Sequence, residues 1–187
     1  MLTSLATVLV MLHAFGSALG AGGVTFAEIF YTKATADGVV DTREREWFST
    51  TFWALRWGMT MVLFSGLALA VLQVAMMQSS EILAYESLWK QNTLALIIAV
   101  SAWLLVIKRL SFKTTSAIIF TAWWMMFFLD VWKGISFSYF SFIFSYVIAV
   151  FFSLFVWEYA RALAHRKALK RIIHRKEHEF KAHSGHS

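Results

Sequence analysis

The sequence predicts an all-α integral membrane protein, a bundle of five transmembrane helices. Of its 187 residues, 59% are hydrophobic and only 15% are charged, whereas a soluble domain carries about 25% charged residues. The mean hydropathy is +0.62. The apolar residues are gathered in runs near the roughly 20 residues with which a helix crosses a bilayer. The loops between the runs are alternately rich and poor in Lys and Arg, as expected of a chain that crosses a membrane repeatedly.

The apolar runs divide most of the chain into predicted helices. In chain order they are Ser4–Phe30, Trp57–Met77, Thr93–Ile107, Thr114–Trp132 and Phe137–Tyr159. The third run is the shortest, and polar Gln91 and Asn92 extend it at one end. We therefore predict a transmembrane domain over residues 1–160 and a basic tail over residues 161–187. The first part of the tail is predicted to be helical because its apolar residues keep helical spacing.

The first run is the most distinctive because it combines a histidine deep in a span with a row of glycines. Gly16 and Gly20 have the spacing of small residues that let a neighbouring helix approach closely, and they share a helix face with His13. With Gly23 they are predicted to form either a packing surface or the wall of a pore or cofactor pocket. A cleaved signal peptide is the alternative for this run, but no Lys or Arg precedes Lys33, so we expect a retained helix.

The second helix is predicted to begin in the loop before its apolar run. Asp41 can cap a helix N-terminus, and Glu44 completes an acidic variant of the capping box, so we place the start near Thr42. Arg56 on this helix lies near the same interface as Glu28 on the first. We predict that the two form an ion pair, which either fixes the helix hairpin or gates an ion.

The later helices are connected by short loops, which predicts that helices two to five are sequential antiparallel neighbours. Two oppositely charged pairs occur at helical spacing near helix ends. Asp130 with Lys133, and Glu158 with Arg161, are each three residues apart, so we expect ordinary pairs that anchor the helix ends at the membrane interfaces.

Candidate metal ligands follow from the methionines and His13. Two methionine pairs are predicted at a depth similar to that of His13, namely Met76 with Met77 and Met125 with Met126. Thioether and imidazole groups form a soft ligand set that suits Cu(I) or haem iron. The alternatives are that methionine fills gaps in apolar packing and that His13 bonds to a neighbouring helix or relays protons.

The distribution of positive charge predicts the orientation. Of the 17 Lys and Arg residues, only Lys90 and Lys133 fall on one side of the predicted membrane. The positive-inside rule then places the N-terminus outside and the C-terminus in the cytoplasm of a bacterial-type inner (plasma) membrane. The formal net charge of +6 indicates that the basic tail contacts anionic lipid. We expect no nucleic-acid partner, because no aromatic and basic platform stands outside the spans.

Several chemistries are excluded by the residues present. The chain contains no cysteine, which rules out disulfides and thiolate metal sites. It also lacks a phosphate loop, an HExxH motif and a GxSxG motif, so no enzyme active site is predicted.

The stretch from Leu12-His13 to Gly20-Ala21-Gly22-Gly23 resembles the opening helix of the copper-resistance D-type family. It also resembles that of the membrane protoporphyrinogen-oxidase-like family, whose first-helix histidine serves haem. The order of His13, glycines, Glu28 and Asp37-Gly38 is similar to that of small multi-pass bacterial membrane proteins of uncharacterised function. The resemblance covers the first helix and the following loop, and it implies that His13 is a ligand of copper or of haem b.

Three functions are compatible with these features. The first is an inner-membrane protein that handles a metal ion or small solute within the bundle, with His13 and the glycine face lining the site. The second is a haem-associated redox protein. The third is a non-catalytic assembly or scaffold protein that acts through the glycine face and the basic tail, with a second copy or another membrane protein as its partner.

Overall fold

Five α-helices make up the fold, as shown by a computed structural model that describes residues 2–36, 41–75, 82–132 and 138–184. The helices are α1 Leu2–Ala34, α2 Thr42–Ala75, α3 Ile82–Val106, α4 Phe112–Val131 and α5 Tyr139–Ser184. All five are long and apolar enough to cross a membrane. The predictions of an all-α fold and of a multi-pass membrane protein are therefore confirmed.

The helices extend beyond the apolar runs where local sequence allows. Helix α2 begins at Thr42, as predicted, and runs through polar residues before it reaches its apolar part. Helix α4 begins where the Ser111 hydroxyl accepts a hydrogen bond from the backbone N–H of Thr114, a normal N-cap. Helix α5 has 46 residues and is about 69 Å long at roughly 1.5 Å per residue. It therefore continues through the basic tail as one helix.

Helix α1 lies at the centre of the bundle, in contact with α2, α4 and α5. Its closest approach is to α2, where glycines from both helices meet. A Cβ atom on Gly58 would lie 3.0 Å from the carbonyl oxygen of Gly16 and 3.2 Å from the nitrogen of Gly20. The two backbones touch there because neither helix carries a side chain at the crossing. Each of the pairs α2–α3, α3–α4 and α4–α5 is also in contact, as the short loops predict.

The packed interior is formed mainly by α1, α3 and α4, and large apolar side chains cover the outside. The largest fully buried side chain is Trp123, at 2% exposure, followed by Phe142 on α5. Helix α5 presents a row of exposed phenylalanines, which includes Phe140, Phe144, Phe151, Phe152 and Phe155. Exposed aromatic surface of this kind suits a helix that faces lipid.

Candidate functional site

Buried polar side chains from four helices meet near one end of the bundle. We call this cluster the His13–Asp130 site, and its members are His13, Ser17, Ser65, Gln91 and Asp130. Exposure is 3% for His13 and 0% for both serines, and 9% for the Asp130 side chain. Ionisable groups at membrane depth are rare and mark functional sites by default. The close approach of a buried histidine and an aspartate therefore makes this cluster the candidate functional site.

The Asp130 carboxylate is held by two hydrogen bonds from other helices. The Ser17 hydroxyl of α1 lies 2.5 Å from Oδ2, and the Gln91 amide nitrogen of α3 donates to Oδ1 at 2.6 Å. Hydrogen bonds to an ionised group are short and strong, so these two bonds fix the carboxylate in place between α1 and α3. Lys90, the neighbour of Gln91, is also buried and brings a positive charge to this part of α3.

The His13 imidazole is oriented by Ser65 of α2. Nδ1 lies 3.0 Å from the Ser65 hydroxyl oxygen, and that hydroxyl donates to the backbone carbonyl of Met61 at 2.5 Å. A hydroxyl has a single hydrogen, and that of Ser65 is used in the bond to Met61. The Ser65 oxygen must therefore accept the hydrogen bond from His13, which places the imidazole hydrogen on Nδ1. Gly66 leaves room for the ring, since a Cβ there would lie 3.5 Å from His13 Cε1.

The other imidazole nitrogen faces the carboxylate across a gap. His13 Nε2 lies 4.0 Å from Asp130 Oδ1, beyond the roughly 2.7–3.2 Å of a hydrogen bond. Nε2 is also among the buried side-chain atoms that have no hydrogen-bond partner. In the neutral tautomer assigned above, Nε2 carries a lone pair. The site therefore contains a buried proton acceptor next to a second one.

The hydrogen on Ser17 allows two protonation states with the same positions of the heavy atoms. The Ser17 oxygen lies 3.0 Å from the carbonyl oxygen of Ala14 and 2.5 Å from Asp130 Oδ2. With one hydroxyl hydrogen, Ser17 either donates to the carboxylate or donates to Ala14. In the second case Asp130 must itself carry a proton and donate it to Ser17. The contacts thus fit both an ionised and a protonated Asp130.

The residue types also match those of a hydrolytic triad, but their arrangement does not. In such a triad the acid bonds to Nδ1 and the serine to Nε2. Here Ser65 is at Nδ1 and Asp130 faces Nε2. Ser65 is fully buried, so a substrate cannot reach it. These contacts therefore do not match the geometry of a hydrolytic triad.

The predicted glycine face is filled by neighbouring helices. A Cβ on Gly16 would lie 2.9 Å from Met61 Cβ, and one on Gly23 would lie 3.2 Å from Leu55. Gly20 is opposite the Trp123 ring, whose Cε3 would lie 2.1 Å from an added Cβ. All three glycines therefore border packed side chains of α2 or α4.

Two of the four predicted methionine ligands, Met125 and Met126, lie within the described residues, on α4. Met126 is fully buried in the apolar core, and Met125 packs against that core. Met76 and Met77 lie outside the described residues. Within the described parts of the chain, no three His, Asp or Glu side chains converge in a way that could hold a metal ion.

A second buried polar group lies at the opposite end of α1, where Glu28 is 2% exposed. Its partner differs from the predicted Arg56, which is exposed. Arg161 of α5 pairs with it instead at 3.0 Å, because α5 rather than the Arg56 side of α2 faces this carboxylate. The Arg161 guanidinium also lies over the Tyr31 ring, 5.3 Å from its centroid, and 3.5 Å from Glu158. We call this cluster the Glu28–Arg161 site.

Sequence reasoning missed the role of Asp130, which was predicted to anchor a helix end with Lys133. Lys133 lies outside the described residues, and the Asp130 contacts described here run to Ser17 and Gln91. The signal was present, since a carboxylate inside an apolar run is a candidate site residue. No family model, curated protein or solved structure matches this chain.

Proposed function

We propose that this multi-pass membrane protein binds and releases a proton at the His13–Asp130 site, and that it uses this step to move a small solute or ion through the helix bundle. The observation that carries the proposal is the buried Nε2 atom of His13, which has no hydrogen-bond partner and lies 4.0 Å from the Asp130 carboxylate. Proton relays within membranes are built from aspartate, glutamate and histidine side chains.

A proton is the ligand that the site accepts with the least rearrangement. Protonation of Nε2 would convert the gap between His13 and Asp130 into a charge-assisted hydrogen bond after a shift of about 1 Å. Protonation of Asp130 needs no shift of heavy atoms, because Ser17 can turn its hydroxyl hydrogen to Ala14. The two acceptors can therefore exchange one proton while Ser65 and Gln91 keep their bonds.

A small metal ion is the second candidate, because His13 Nε2 and Asp130 Oδ1 are both suitable ligand atoms. These two atoms supply half of a four-coordinate site. For haem, Nε2 is a nitrogen that can bind iron, but the faces of Gly16 and Gly20 are filled by Met61 and Trp123.

An optical spectrum and elemental analysis of purified wild-type protein beside His13→Ala separate these cases. Stoichiometric metal or a Soret band that is lost in the variant would replace the proton proposal.

We further propose that the N-terminus is outside and the C-terminus in the cytoplasm of a bacterial-type inner membrane. The support is the distribution of Lys and Arg, of which only Lys90 and Lys133 lie on the outer side in this orientation. In the same orientation the basic end of α5 is cytoplasmic and contacts anionic lipid headgroups. The scaffold function remains an alternative that this arrangement does not specifically favour.

The test is infrared difference spectroscopy of protein in lipid while the pH is lowered. We expect a protonated carboxyl band from a buried group, absent in Asp130→Asn and shifted in His13→Asn. Glu158→Gln is the matched control, because the Glu158 side chain is 49% exposed and its removal should leave the buried band unchanged. A buried band that is identical in wild type and Asp130→Asn would overturn the proposal.

A further inference from the structure

The two polar sites lie on the same helix with an apolar layer between them. His13 and Glu28 are about 22 Å apart along α1 at roughly 1.5 Å per residue. Gly20 lies between them, about 10 Å from His13 and about 12 Å from Glu28 along the axis. The Trp123 ring occupies the space beside Gly20, where an added Cβ would lie 2.1 Å from ring atom Cε3. Trp123 thus packs against α1 midway between the two sites.

The surroundings of Trp123 are apolar, in contrast to both ends. Trp123 belongs to the buried apolar core cluster, which also contains Ala21, Val24, Val62 and Ala122. Trp123 itself lies about two turns before Asp130 on α4. A ring of this size in an apolar constriction excludes water, and hydrophobic constrictions gate pores in this way.

Polar atoms without a partner mark both ends. At the His13–Asp130 site this atom is His13 Nε2. Towards the other end, the buried atoms without a hydrogen-bond partner are Arg161 Nε, Thr32 Oγ1 and Thr115 Oγ1. Thr32 lies one turn after Glu28 on α1. Buried polar atoms of this kind take water as a partner where there is room, so each end can be hydrated.

We propose that Trp123, packed against Gly20, is the barrier that separates the two polar sites, and that removal of the indole joins them into a path for protons across the bundle. The inference rests on the proton site proposed at His13 and Asp130. The barrier leaves the His13–Asp130 site on one side of the indole and the Glu28–Arg161 site on the other. A proton carrier with two such sites holds its gradient because the indole interrupts the hydrogen-bonded path between them.

The experiment measures proton leak in liposomes that contain purified protein and the pH-sensitive dye pyranine. A potassium gradient with valinomycin supplies the driving potential. We expect Trp123→Ala to acidify the lumen well above the wild-type rate. Phe142→Ala is the control for a large cavity in the same apolar core on another helix, since Phe142 is 1% exposed and lies about 28 Å from Arg161 along α5. Circular dichroism and size-exclusion chromatography establish that each variant is folded.

The outcomes of this assay decide the proposal as follows. A folded Trp123→Ala protein as tight as wild type, or a Phe142→Ala protein that leaks equally, overturns the barrier. If Trp123→Ala does not fold, the same leak assay is made on Trp123→Leu. Leucine keeps apolar volume beside Gly20 but lacks the indole ring. A Trp123→Ala leak that falls on adding Asp130→Asn supports both proposals. A leak that is unchanged by Asp130→Asn overturns the proposed path between the sites, while the infrared band still decides the proton site separately.

Discussion

Asp130 is the residue whose environment most constrains the chemistry of this molecule. Its carboxylate is at membrane depth, where an isolated charge is costly, yet it faces hydrogen-bond donors from α1 and α3. An aspartate placed only for packing would be replaced by an apolar residue at little cost. The hydrogen-bonded carboxylate beside the unpartnered nitrogen of His13 is the arrangement on which the proposed binding and release of a proton rests.

The variant Ser17→Ala tests how much the hydrogen bond between Ser17 and the Asp130 carboxylate contributes to stability. The variant loses the hydrogen bond from α1 and leaves Gln91 as the donor. We expect a loss of about 1 kcal/mol in the free energy of unfolding, since hydrogen bonds between membrane helices average about 0.6 and reach about 1.7 kcal/mol. The measurement is reversible unfolding in mixed micelles. The control is Thr60→Ala, because the Thr60 hydroxyl is exposed and bonds only within its own helix, to the carbonyl of Arg56. Equal losses in both variants would contradict the assignment.

At the scale of helices, α1 is the element that organises the bundle. It contacts α2 through glycines, α4 through the Trp123 ring and α5 through Glu28. In a membrane the hydrophobic effect does not drive helices together, since the lipid tails are as apolar as the side chains. Close packing between small residues stabilises helix association instead. Changes on the inner face of α1 should accordingly cost more than changes elsewhere on the same helix.

Gly20→Ala and Gly22→Ala form a matched pair for this expectation. A Cβ at Gly20 would overlap the Trp123 ring, whereas nothing lies within 4 Å of one at Gly22. Overpacking of this kind costs roughly 1–3 kcal/mol, so Gly20→Ala should lower the midpoint of thermal unfolding in detergent. Gly22→Ala should leave it unchanged or raise it slightly, since alanine is the better helix former. The same midpoint for both variants would show that the ring moves aside at little cost.

The ion pairs on α5 give a second matched pair. Arg161 neutralises Glu28, which is 2% exposed, whereas Lys113 pairs with Glu158 at 2.9 Å where both side chains are about half exposed. Loss of one partner of a buried pair costs roughly 3–5 kcal/mol, because the other charge stays buried. A surface pair contributes about 0–1 kcal/mol. We expect Arg161→Ala to be strongly destabilising and Lys113→Ala nearly neutral in the same unfolding assay. Arg161→Ala combined with Glu28→Gln should recover part of the loss.

At the scale of the whole molecule, five helices that can each cross a membrane predict that the two termini lie on opposite sides of it. Helix α5 is about 69 Å long, and a bilayer core is about 30 Å thick, so roughly half of α5 extends beyond the core. We predict that alkaline phosphatase is active as an N-terminal fusion and that green fluorescent protein is fluorescent as a C-terminal fusion. The reverse pattern would invert the proposed orientation, and a signal from both termini on one side would contradict five spans.

Much of the fold could be predicted from the sequence, because hydropathy reports directly on whether a helix can cross a bilayer. The partners within the bundle could not, because they depend on the rotation of each helix about its axis. Ser17 and Asp130 are 113 positions apart in the chain, and nothing local indicates that they meet. The sequence predicted Arg56 as the partner of Glu28 and Arg161 as the partner of Glu158, and only the packing of α5 against α1 brings Arg161 to Glu28. The sequence predicted the depth of each residue in the membrane, but it did not predict which neighbouring helix each side chain contacts.

The Glu28–Arg161 pair also has a consequence for biosynthesis. The two residues are 133 positions apart, and chains grow at about 5–20 residues per second. Glu28 is therefore translated roughly 7 to 27 s before the arginine that neutralises it. During this time the nascent first hairpin carries a carboxylate without its final counter-ion. Helix α1 can therefore complete its buried contacts only after α5 has been synthesised.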